Sequence, residues 1–273
     1  MLEFIPYLIT AGIYLVAAAA YWRKARKTAP ETRWQWDFSI IAVGLALQGW
    51  LLYDTMFAGG LNLGLTNALS AILWLTVLIY WLTDIQHKLH SLQAFVLPPA
   101  AAAVLLQKFV PTTLTLSYAD QPLFMAHLII ALLAYSLFTF AALHAILMAM
   151  AERSLHNKTT WIKLPDFPPL LNMEKLLFRV IAIGFALLTL TLVSGVLFSE
   201  ELFQQPMKFT HKNVFAVLSW LIFGGLLLGR YQHGWRGRTA IRWTLGGFAL
   251  LLLAYVGSKF ILQILLHRQF ISG

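Results

Sequence analysis

The chain contains no cysteine. That excludes disulfides, iron–sulfur clusters, thiolate ligation of iron and any thiol relay carried by these residues themselves. Charge is scarce as well. Asp, Glu, Lys and Arg make up 11% of the 273 residues, where a soluble domain carries about 25%. Acids are the scarcer sign, with 11 against 20 Lys and Arg. No pair of carboxylates is placed for acid–base work, and no glycine-rich phosphate loop or nucleophile elbow occurs, so catalysis by side chains is not expected. Long polar stretches, internal repeats and low-complexity segments are missing too, which leaves a single domain over residues 1–273.

What is present is hydrocarbon. Hydrophobic residues reach 59% and the mean hydropathy is +0.72. Eight apolar runs of membrane-spanning length cover about residues 2–22, 36–57, 63–83, 92–110, 123–151, 175–198, 212–229 and 243–266. The expected fold is therefore all-α, a polytopic bundle of eight transmembrane helices. The first run has no positive leader and no cleavage site, so it reads as a helix and not as a removable signal. Pro98-Pro99 predicts a kink near the start of the fourth.

A net charge of +9 would suggest nucleic acid in a soluble protein. Here the distribution gives a simpler reason. Fifteen of the twenty basic residues fall on alternate links and the adjoining helix ends, from the cluster Arg23, Lys24, Arg26, Lys27 and Arg33 to Arg230, Arg236, Arg238 and Arg242. The other side has only Lys108, Lys208, Lys212, Lys259 and Arg268. Basic residues stay cytoplasmic, which places both termini on the outer, periplasmic side. The partner implied by this charge is a lipid bilayer, with no nucleic acid.

That topology sorts the histidines. His127, His211 and His267 share the outer level, on three different helices. His127 is the most telling, because an imidazole inside an otherwise apolar run is costly unless something binds it. Ala131 and Ala134 fall near its face and would let a flat ligand or a helix approach. Imidazoles from separate helices at one depth suit an iron porphyrin, which takes ligands from opposite sides of a flat ring. Lys259, about two turns inside the last helix, and Lys208 and Lys212 beside His211 suit its propionates. Each has a plainer alternative: His127 hydrogen-bonded to a neighbouring helix, His211 and His267 solvated at helix ends, Lys259 paired with Asp54. Gln48, Asn67 and Ser70 read as interhelical hydrogen bonders.

Several stretches together resemble the integral membrane cytochrome c assembly family, the CcsA/CcmC-like haem-handling proteins, in the HemX/YpjD-like branch. They are His127 with Tyr135-Ser136; the run from Arg179 to Leu190 closing with Ser194-Gly195; His211-Lys212 with Ser219-Trp220; and Gly234-Trp235-Arg236-Gly237-Arg238 followed by Ala254-Tyr255-Val256-Gly257-Ser258-Lys259. The similar part is about residues 123–267. The resemblance implies a bundle whose outer face handles haem, with His127 matching the first haem-ligand histidine and His267 a candidate for the later one. It also implies contact with other cytochrome c assembly proteins or an apocytochrome, in a bacterial inner (plasma) membrane. Two departures stand out. Residues 199–213 hold no tryptophan or aspartate, where the family carries a Trp-Trp-Asp segment, and the family's histidine in the helix after that loop is replaced by Gly229.

Haem (its iron on His127 and His211, with His267 and Lys259 also in the cofactor site) is thus the expected cofactor of a binding protein that assists cytochrome c assembly. A cofactor-free membrane regulator or scaffold of haem metabolism is the competing expectation. A small-molecule permease is a third, against which stands the lack of an inverted repeat.

Overall fold

A computed structural model describes residues 2–26, 34–58, 60–87, 90–112, 114–115, 121–156, 169–201 and 211–257. After a 3-10 turn at Leu2–Phe4 come eight helices: α1 Ile5–Arg26, α2 Trp34–Phe57, α3 Leu65–His87, α4 His90–Phe109, α5 Pro122–His156, α6 Leu170–Glu201, α7 His211–His233 and α8 Gly237–Leu252. A π-helical turn, Leu253–Gly257, extends α8. Among the described residues the only extended pairings are two isolated bridges, Ala58 with Gly60 and Asn62 with Thr115.

Six of these helices, α1, α2, α3, α5, α6 and α7, are long and apolar enough to cross a membrane. The expected eight are therefore met at six on length and composition. In α4 the polar residues His90, Ser91, Gln93, Gln107 and Lys108 dilute the hydrocarbon, and the helix runs on through Pro98 and Pro99. The described α8 has 16 residues, and the rest of the expected span, to residue 266, lies outside the described residues. The chain is an all-helical, multi-pass membrane protein.

The largest correction concerns α7 and α8. The sequence pattern makes the basic stretch 230–242 a link, yet only residues 234–236 leave the helices. Gly234 (φ +65) and Gly237 (φ +50) adopt the left-handed backbone that reverses the chain within three residues. Arg230 Nη1 donates to Trp235 O at 3.0 Å, closing the turn. Arg238 and Arg242 consequently ride on α8.

The helices alternate in direction. At one end, Glu3 before α1 meets Lys108 of α4 at 2.9 Å, and the lysine holds the Glu3 carboxyl below its usual range by hydrogen bond and charge. Thr66 of α3 meets Thr112 beyond α4 at 3.0 Å, and His127 of α5 meets Ser194 of α6. Met125, Leu128 and Tyr255 pack there on Leu52, Met56 and Leu61. At the other end Tyr21 of α1 bonds Gln93 of α4 at 3.2 Å, and Glu174 of α6 gathers Arg230, Arg236 and the Gly237 N–H. We call these the His127 end and the Glu174 end.

Helix α5 is the hub. Its Ala134, Ala141 and Ala145 are fully buried, and such small side chains let α3, α6 and α8 close on it. Phe140 stacks on Tyr80 of α3 at 4.0 Å, and Phe138 on Phe223 of α7 at 3.9 Å. Polar groups in hydrocarbon must find partners internally. Gln48 of α2 accepts from Tyr14 Oη of α1 at 2.8 Å and donates to Ser70 Oγ of α3 at 3.0 Å. Asn67 donates to Asn62 O and receives Gln107 Nε2 of α4 at 3.0 Å.

Candidate functional site

The His127 ring stands between α5 and α6, about one turn and a half inside α5. Its Nδ1 lies 2.7 Å from Ser194 Oγ, and the side chain is half-buried. This realises the plainer expectation, a histidine hydrogen-bonded to a neighbouring helix, through its Nδ1. On α6, Gly195 has no side chain to cover the ring edge: a Cβ there would lie 3.6 Å from His127 Cε1.

Helices α7 and α8 complete the surroundings. Lys212, in the first turn of α7, has its Nζ 5.9 Å from the centroid of Tyr255 in the π-helical turn. Tyr255 packs against Tyr135 of α5 with centroids 5.5 Å apart. An imidazole, a hydroxyl, an ammonium and two phenol rings from four helices thus share one end of the bundle. Chemically this set offers a nitrogen donor of the kind iron accepts, a cation for a carboxylate and aromatic faces for a planar ring.

Of the site histidines expected here, the structure describes the side chain of His127. His211 opens α7, next to Lys212, though its side chain lies outside the described residues. Lys259, His267 and Lys208 lie outside them altogether. Asp54 is exposed near the end of α2. Ala134 is buried in the hub, while Ala131 is half-buried. Ser194, Tyr135 and Tyr255 entered the sequence reading only through the family likeness, without a role. A mid-helix serine reads as one that bonds its own backbone, and its histidine partner is 67 residues away.

One cavity, of about 360 Å³, lies in the same half of the bundle, between α2, α3 and α5. Gly49, Leu52, Met56, Trp74 and Leu132 line it. At about 100° per residue, Ile129, Leu132 and Leu133 point across α5 from His127. The cavity offers no imidazole and is separate from the His127 cluster.

The family model described as "Cytochrome C assembly protein" matches residues 34–266, which adds α2 to α4 to the similar region. This chain belongs to the cytochrome c assembly family. Among its relatives, the inner membrane protein YpjD of Escherichia coli strain K12 is 29% identical over 227 residues, covering 83% of this chain and 84% of YpjD. A 28.8 kDa protein from the nifR3-like 5′ region of Azospirillum brasilense is 28% identical over 97% of this chain and 100% of its own length. The cytochrome c biogenesis protein CcsA of Prochlorococcus marinus strain MIT 9515 is 33% identical over 90 residues, 33% of this chain and 29% of CcsA. No solved structure matches. Membership of the cytochrome c assembly family supports a role in cytochrome c biogenesis.

Proposed function

We propose that this protein binds haem at the His127 end and hands it on, or holds it, during cytochrome c assembly, as a non-catalytic protein of a bacterial inner membrane. The observation that carries the reading is the His127 cluster: an intramembrane imidazole oriented by one helix, with an ammonium and two tyrosines in the same half of the bundle, in a chain of this family. The donor set fits the group. His127 would hold the iron through a ring nitrogen, Lys212 would pair with a propionate, and Tyr135 and Tyr255 would offer the macrocycle apolar contact. His211 or His267 would supply a second nitrogen to the iron, and Lys259 would pair with the other propionate. Bound haem would supply the iron that a cytochrome needs; these residues only hold and orient it. Both termini and the His127 end face the periplasm in this proposal, where a c-type apocytochrome or another assembly protein would meet it.

Haemin titrated into the purified protein tests it. Wild type should develop a Soret band that saturates, and His127→Ala should weaken binding at least tenfold. A wild type without a Soret band overturns the proposal. A cofactor-free scaffold remains as a second reading, supported by the lack of tryptophan and aspartate in residues 199–213. On that reading His127→Ala leaves cytochrome c maturation intact, whereas changes in the basic links at the Glu174 end abolish it.

A further inference from the structure

A serine hydroxyl carries one proton, and at Ser194 three atoms compete for it. Leu190 O lies 2.6 Å from Ser194 Oγ, Thr191 O lies 3.2 Å away, and His127 Nδ1 lies 2.7 Å away. The two carbonyls can only accept. Two oxygens 2.6 Å apart are at hydrogen-bond distance for O–H···O and repel without a proton between them. The Ser194 proton therefore points at Leu190 O, and Ser194 Oγ offers the imidazole a lone pair. For the 2.7 Å contact to be attractive, Nδ1 must bring its own proton.

The rest of the bundle assigns protons the same way. Thr10, Thr76, Thr139, Thr189 and Thr244 each donate to the carbonyl four residues back, the usual outlet for a hydroxyl on a helix in hydrocarbon. Thr189 provides an internal control on α6 itself. It donates to Phe185 O at 2.8 Å and receives Trp220 Nε1 at 2.8 Å. An indole nitrogen can only donate, so the direction there is forced. Ser194, five residues on, repeats the arrangement with an imidazole in place of the indole.

We propose that Ser194 is a positioning residue for His127, holding the neutral imidazole as its Nδ1–H tautomer, so that the lone pair an electron-pair acceptor would take lies on Nε2. Which nitrogen of a histidine serves as ligand is set by the hydrogen bond the other one makes. Here the orienting partner is an alcohol anchored to a carbonyl of α6, so the ring is fixed in tautomer and in plane by a helix it does not belong to. That the acceptor is haem iron rests on the function proposed above; the tautomer does not.

The tautomer is read directly by solid-state nitrogen NMR of protein labelled with [15N]histidine, in lipid bilayers at pH 8, above the ordinary histidine pKa of about 6.5. His127→Ala identifies the signals. Wild type and Ser194→Thr should show protonated Nδ1 and unprotonated Nε2, while Ser194→Ala should lose that preference. In haemin titrations Ser194→Ala should weaken binding about 10- to 100-fold, the usual range for losing a group that orients a metal ligand, and Ser194→Thr should restore it to within a few-fold. Protonated Nε2 in the wild type overturns the inference without any variant. So does a Ser194→Ala protein that keeps both the tautomer and the affinity. A wild type with the Nδ1–H tautomer that binds no haemin upholds the role of Ser194 and removes haem as the ligand.

Discussion

At the scale of the residue, close approach explains choices that composition hides. A Cβ at Gly229 would stand 2.4 Å from Trp235 Cε3, inside any tolerable contact. The indole has little freedom to retreat, because it packs on Trp243 with centroids 4.8 Å apart and its backbone oxygen is held by Arg230. Gly229→Ala should therefore cost about 1–3 kcal/mol, the range for overpacking, seen as a lower thermal midpoint in detergent. A midpoint equal to wild type would show that the turn yields freely. The same crowding accounts for the glycine at the position where the family likeness would place a histidine: with Trp235 against α7, no imidazole fits. From sequence, Gly229 is one of several glycines in an apolar helix, and only the folded turn sets it apart.

At the scale of the element, what the sequence revealed and what it withheld divide cleanly. The helices themselves were legible, since runs of hydrocarbon without charge have one stable form in a bilayer. Their faces were not, because side chains turned to lipid and side chains turned to neighbours are equally apolar: α5 exposes Leu123 and Ile129 yet fully buries Phe138 and Phe140. The start of α8 was missed because arginines read as a link, whereas Arg236 and Arg230 close on Glu174 at 3.4 and 2.8 Å. That carboxylate, with its side chain 9% exposed, ties α6, α7 and α8 together. Glu174→Ala should cost about 2 kcal/mol, less than the 3–5 of a fully buried pair because both arginines keep some contact with solvent. Breaking the more open Arg238–Glu152 pair at 2.7 Å by Arg238→Ala should cost under about 1 kcal/mol. Thermal midpoints of the two variants in one detergent compare them directly, and equal losses would count against Glu174 as the tie.

At the scale of the whole molecule, alternating helices turn the charge pattern into a statement about two faces. Glu3, Lys108, His127 and Lys212 share one end, while Arg230, Arg236 and Arg238 share the other. Because translocation holds basic links back, the Glu174 end should be cytoplasmic and the His127 cluster periplasmic, the side on which, in the function proposed above, an apocytochrome would receive haem. The cysteine-free chain is a ready background for testing this. A membrane-impermeant maleimide should label Gln121→Cys in intact spheroplasts and label His233→Cys only after lysis; both positions are exposed. The reverse pattern would turn the His127 cluster toward the cytoplasm. In the function proposed above, haem would then meet the cluster on the cytoplasmic side, and a role in delivery would have to give way to one in uptake.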